Sequence, residues 1–63
     1  MNALGETPVE RFERELLLEA IYRRWHYDFR GYAAESMRRR LDHARTALGE
    51  ETLSAVQARV LRD

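Results

Sequence analysis

Proline occurs once in this chain, at position 8 directly behind Thr7, and beyond it glycine stands only at positions 31 and 49. These breakers leave three uninterrupted segments, and each carries apolar residues at helical spacing. Thr7 is a natural N-cap, Pro8 suits the first helical position, and Glu10 completes a capping box with Thr7. Val9, Phe12, Leu16 and Ala20 follow, with Leu17, Ile21 and Trp25 alongside, so the spacing predicts a first helix over about 8–25 with a wide buried face. Asp28 and Gly31 are turn formers that mark a joint after His26. Tyr27, Phe29 and Tyr32 make that joint apolar as well as bent, and Phe29 is expected to plug the gap between helices. A second helix is expected over about 32–48, with Met37, Leu41, Ala44 and Leu48 inward and Gly49 as a left-handed terminator. After Glu50 and Glu51, a third helix over about 53–62 is capped by Thr52 or Ser54 and carries Leu53, Val56 and Val60, with Leu61 beside them. No strand pattern, repeat or low-complexity tract interrupts this reading. The expectation is an all-α fold, a small three-helix bundle, with a frayed lead at residues 1–6 and a single domain over 7–63.

With 63 residues, a fold buries only about 60% of the surface its unfolded chain exposes, so stability should be modest. The chain is also too short to enclose a cofactor and do chemistry alone. Hydrophobic residues at 44% and charged residues at 35% fit a globular domain rather than a disordered tail. There is no cysteine, which removes disulfides, thiolate metal ligands and a cysteine nucleophile. The longest apolar run, Leu16-Leu17-Leu18, is far below the roughly 18 residues of a membrane span, so direct membrane insertion is not expected. The first six residues lack the basic start and apolar stretch of a secretory signal, which makes the cytoplasm the expected location.

All 11 basic residues are arginine, and they balance 11 carboxylates. Residues 1–22 hold five glutamates against two arginines, whereas residues 23–45 hold seven arginines against three carboxylates. An acidic first segment thus precedes a basic middle. Such an arrangement can steer an acidic partner, and it can equally hold two neighbouring helices together. Zero net charge argues against nucleic acid, whose phosphates call for surplus positive charge.

No catalytic, cofactor-binding or metal-binding set stands out. Glycines are scattered rather than gathered into a phosphate loop. His26 and His43 lie far apart, without the close helical spacing of zinc ligands. His43 falls on the outer face of the second helix, and His26 is placed to meet last-turn carbonyls. Glu15 and Glu19 are four apart on one helix and read as a solvated face.

The run Arg38-Arg39-Arg40 is the most unusual local feature. At about 100° per residue, with the Met37/Leu41 stripe inward, Arg38 and Arg45 fall on one flank with Asp42. Arg39 points outward, and Arg40 lies at the border of the buried stripe on the other flank. Arg38 and Asp42 are i, i+4 partners. One reading is a solvated face plus a structural Arg40, whose stem packs while its head pairs with first-helix carboxylates. The other is an arginine comb of Arg38, Arg39 and Arg45, joined by Arg40, that meets an acidic protein helix.

The stretch Ile21-Tyr22-Arg23-Arg24-Trp25-His26-Tyr27-Asp28-Phe29-Arg30-Gly31-Tyr32, followed by Ser36-Met37-Arg38-Arg39-Arg40-Leu41, resembles the N-terminal helical domain of CheR-type chemotaxis methyltransferases. The Leu48-Gly49 helix end and the final Leu53-to-Leu61 helix match as well, so the resemblance covers about residues 9–63. It implies an enzyme that transfers methyl from S-adenosylmethionine to chemoreceptor glutamates, with the catalytic domain absent from these residues. It further implies that the basic second helix faces the acidic helical bundle of the receptor. Arg40 matches the family's recurrent arginine before leucine, and Arg45 lies in a segment that is usually basic. Asp42, His43 and Ala44 depart from that pattern, which leaves room for a different acidic partner. The implied function is a non-enzymatic docking module. The alternatives are a structural or regulatory domain packed on the catalytic domain, and a free-standing interaction module or homodimer.

Overall fold

The computed structural model describes residues 5–62, which form three helices and no strand. Helix α1 spans Pro8–Trp25, α2 spans Ala34–Ala47 and α3 spans Leu53–Arg62. The all-α bundle expected from the periodicity is therefore the architecture of the described residues.

Local chemistry sets each boundary. At the start of α1 the Glu10 backbone N–H donates to Thr7 Oγ1 at 3.1 Å, and the Thr7 N–H donates to Glu10 Oε1 at 2.8 Å. Two orphan donors are satisfied reciprocally. The helix closes at His26, whose φ of 64° is left-handed and whose backbone N–H donates to Tyr22 O at 2.8 Å. His26 thus meets a last-turn carbonyl through its backbone. In the joint, the Tyr32 N–H donates to Phe29 O at 3.2 Å. That turn bond holds Tyr32 outside α2, and Ala33 is the N-cap, so the helix begins two residues later than its apolar pattern suggests. Gly49 ends α2 with φ 72°, and the Glu50 N–H returns to Arg45 O at 3.0 Å. Of the two caps considered for α3, Thr52 serves: its Oγ1 accepts the Ala55 N–H at 3.1 Å. Ser54 instead donates to Glu13 Oε2 and ties α3 to α1.

Leu17, Leu18, Met37, Leu41, Leu53 and Val56 form the core, with Ile21, Phe29 and Val60 packed partly against it. Phe29 does plug the joint, and its ring meets the Tyr32 ring edge-on at 5.5 Å. α3 lies mainly along α1, and the backbones of α1 and α2 approach each other least of the three pairs.

Three expectations need correction. Val9, Phe12, Leu16 and Trp25 are not buried but 64, 50, 56 and 45% exposed. α3 covers the flank of α1 that carries Leu17 and Ala20, and no fourth element among the described residues covers the other. Ala44 and Leu48 are likewise exposed. The half-buried flank of α2 runs through Arg38, Asp42 and Arg45, so α2 is turned by roughly 60° from the expected stripe. Lastly, the frayed lead does not hold at Glu6, which is buried by ion pairs described below; residues 1–4 lie outside the described set.

Replacing Leu17 by Ala should cost about 3 kcal/mol, whereas Leu16→Ser on the exposed stripe should stay within about 0.5 kcal/mol. Urea unfolding followed by circular dichroism separates the two: the first variant is expected to lose most of its cooperative transition and the second to keep its midpoint.

Candidate functional site

The four arginines of α2 divide into two pairs. Arg38 is drawn inward. Its Nη1–H donates to Glu6 Oε2 at 3.1 Å and to Glu10 O at 3.4 Å, and its Nε–H donates to Asp42 Oδ2 at 3.0 Å. Its Nη2 also lies 3.9 Å from Glu10 Oε2. The side chain is 18% exposed. The role expected of Arg40, a head paired with first-helix carboxylates, therefore belongs to Arg38. Arg45 is also engaged: its Nη1–H donates to Glu50 O at 3.0 Å, and its Nε lies 3.6 Å from Asp42 Oδ1. That Asp42 oxygen is buried and makes no hydrogen bond among the described residues, so Arg45 supplies it with charge alone.

Glu6 is the hub. Arg14 of α1 closes on it with two bonds, Nε–H to Oε2 at 2.8 Å and Nη2–H to Oε1 at 3.2 Å. The Glu6 side chain is 2% exposed. The Arg14 bond, ahead of the Arg38 one, holds the Glu6 carboxyl below its ordinary range despite burial. For Arg38, burial pulls its pKa down, but the Asp42 and Glu6 carboxylates more than offset this and keep it firmly charged.

A second ionic cluster fastens the joint. Arg30 donates to Asp28 through Nε–H at 2.9 Å and to Glu19 through Nη1–H at 3.2 Å. Its guanidinium also stacks 3.9 Å from the Tyr22 ring centroid. The Arg30 side chain and then its backbone N–H lower the Asp28 carboxyl to about 2. Glu19 is thus engaged by Arg23 and Arg30 rather than simply solvated, as its spacing from Glu15 suggested. This cluster escaped the sequence reading, although Asp28 and Arg30 two residues apart in a turn were the available signal.

Arg39 and Arg40 are different. Both are exposed, and neither forms an ion pair among the described residues. Arg40 rests over the Tyr32 ring at 5.9 Å. Ser36, His43, Ala44 and Ala47 share the side of α2 around Arg40, whereas Glu35, four residues before Arg39, and Asp42, three after it, lie about 40–60° from Arg39 and about 140–160° from Arg40. A shallow groove of about 420 Å³ runs past Arg39, Asp42, His43, Thr46 and Ala47. The side around Arg40 is thus cationic and sterically open, while Arg39 has carboxylates beside it. Among the described residues no group of three potential metal ligands converges, and no helix is long and apolar enough to cross a membrane.

Arg38→Ala should therefore lower stability by about 2 kcal/mol, because it leaves a buried carboxylate short of a donor. Arg39→Ala should change it by less than about 0.5 kcal/mol. Denaturant midpoints of the two variants check this. The Glu6 pairing also has a pH signature. Since the folded carboxyl titrates below its ordinary value of 4.5, its stabilisation is complete above that pH and fades as pH falls through the lowered value. Glu6→Gln should lose about 3 kcal/mol at neutral pH and flatten the acid limb of a plot of melting temperature against pH.

Comparison with known proteins gives one relationship at the sequence level. The chain is 49% identical over 51 residues to a Pseudomonas putida protein named "Putative methyltransferase Cher3". The match takes in 81% of this chain but only 19% of that protein. No family model matches the chain. No solved structure matches it either. The chain is therefore related to a part of a methyltransferase-like protein that is several times longer.

Proposed function

We propose that this chain is the helical substrate-docking module of an S-adenosylmethionine-dependent, CheR-type methyltransferase that modifies chemoreceptor glutamates in the cytoplasm. In this reading the module is not itself catalytic, and α2 offers Arg39 and Arg40 to an acidic helix of the receptor. Arg38 and Arg45 set the rotation of α2 and so aim that face outward. The observation that carries the proposal is the pair of exposed guanidinium groups without an ion pair among the described residues, in a chain related to a methyltransferase-like protein. Arginine suits the task because its planar fork fits carboxylates. Residues for S-adenosylmethionine must come from elsewhere in such an enzyme.

A second reading rests on α1. Val9, Phe12 and Leu16 form an uncovered apolar stripe, as expected of a domain that packs on a larger body such as the remainder of a methyltransferase. The two readings use different faces and are compatible.

Titration of the chain with a helical peptide from a receptor methylation region, followed by amide NMR, tests the docking role. The wild type should bind with shifts centred on α2, and the R39A/R40A double variant should bind at least about tenfold more weakly, with reduced sensitivity to salt. Absence of binding by the wild type, or equal binding by the double variant, overturns the proposal.

A further inference from the structure

Next to the open arginine face lies a cavity of about 160 Å³ walled by Ile21 of α1, Phe29 of the joint, and Met37, Arg40 and Leu41 of α2. Four of its five walls are apolar and the fifth is an exposed arginine. We infer that this cavity is an anchor pocket for one aliphatic or aromatic side chain of an acidic partner helix, whose neighbouring carboxylate is taken by Arg40. The inference rests on the docking reading and specifies what the partner must carry.

The volume suits such a guest. A cavity of about 150 Å³ lined by apolar side chains holds a benzene ring. The character of the walls suits it as well. No carboxylate lines the pocket, and Arg40 has no ion pair among the described residues to compete for it. The contrast with the polar cleft on the opposite flank of α2 is informative. That cleft, of about 220 Å³, is lined by four carboxylates, Glu10, Glu13, Asp42 and Glu51, against Arg38 and Arg45, and both arginines are already engaged. The Ile21–Leu41 pocket, by contrast, combines an apolar hole with a cation that has no ion pair among the described residues. The cation fixes the occupant's sign, so charge complementarity selects an acidic helix. On that helix the anchor and the carboxylate must lie three or four residues apart to share a face. Ser36, Ala44 and Ala47 beside Arg40 are small enough for a second helix to lie close.

The probe is a helix-stapled peptide of about 20 residues, ~30 Å long, rich in glutamate, with one leucine placed four residues before a glutamate. Methyl NMR of the chain reads Met37 and Leu41 directly. The expected result is saturable shifts of both methyl sets, with binding at least about tenfold weaker when the peptide leucine becomes alanine. A Glu→Gln peptide should lose affinity for the wild type but not for R40A. If the alanine peptide binds as well as the leucine peptide while binding still falls in R39A/R40A, the anchor pocket is refuted and the docking reading stands. If neither peptide responds to R39A/R40A, the docking reading fails, and the pocket inference with it. Methyl shifts that follow the chain's own concentration without peptide would assign the pocket to a second copy and overturn the inference.

Discussion

The Glu6 carboxylate sits between guanidinium groups from two helices, Arg14 of α1 and Arg38 of α2, and the arrangement of α2 follows from it. The backbones of α1 and α2 approach little, so few backbone-level constraints fix how α2 is rotated. Met37 and Leu41 alone would centre the buried face on themselves. The pull of Glu6 and Glu10 on Arg38 turns that face toward the Arg38, Asp42 and Arg45 flank. Buried charges of this kind add less to stability than their contacts suggest, because desolvation offsets much of the attraction. Their consequence here is geometric. By fixing the rotation they decide which arginines are consumed inside the molecule and which remain outside.

Much of the fold was legible in the sequence because its signals are local. The Thr7-Pro8-Glu10 box, the Gly49 terminator and the Phe29 plug each depend on residues within a few positions. The pairing of Glu6 with Arg38 spans 32 positions, and no periodicity carries it. That is why the inward-reaching head was assigned to Arg40 rather than Arg38. On a wheel Arg40 borders the apolar stripe, but the carboxylates that attract such a head lie on the other side. The same blindness applies to Val9, Phe12 and Leu16. Their spacing states that they form an apolar face, and it is silent on whether anything covers that face. The pocket at Ile21, Phe29 and Met37 was not legible either, since its walls come from three separate elements.

The relationship to a methyltransferase-like protein gives the division of the arginines a functional sense. A docking surface needs groups held in place but not already satisfied. In α2 these requirements fall on different residues: Arg38 and Arg45 hold the helix, and Arg39 and Arg40 stay exposed on it without an ion pair among the described residues. Asp42, which seemed to dilute a basic face, also serves the internal network through Arg38 and Arg45, and the side around Arg40 is left without a carboxylate. On the proposed reading, the exposed stripe on α1 is a separate surface for a larger body, so that anchoring and recognition of an acidic partner would use different sides of one small domain.

Nitrogen-resolved NMR of the arginine side chains tests this division most directly, by the rate at which each Nε–H exchanges with water. The Arg14 and Arg38 protons, held against Glu6 and Asp42, should exchange slowly and give separate, sharp signals. Those of Arg39 and Arg40 should exchange as fast as free arginine. An Arg38 proton that exchanged as freely as that of Arg39 would contradict the account.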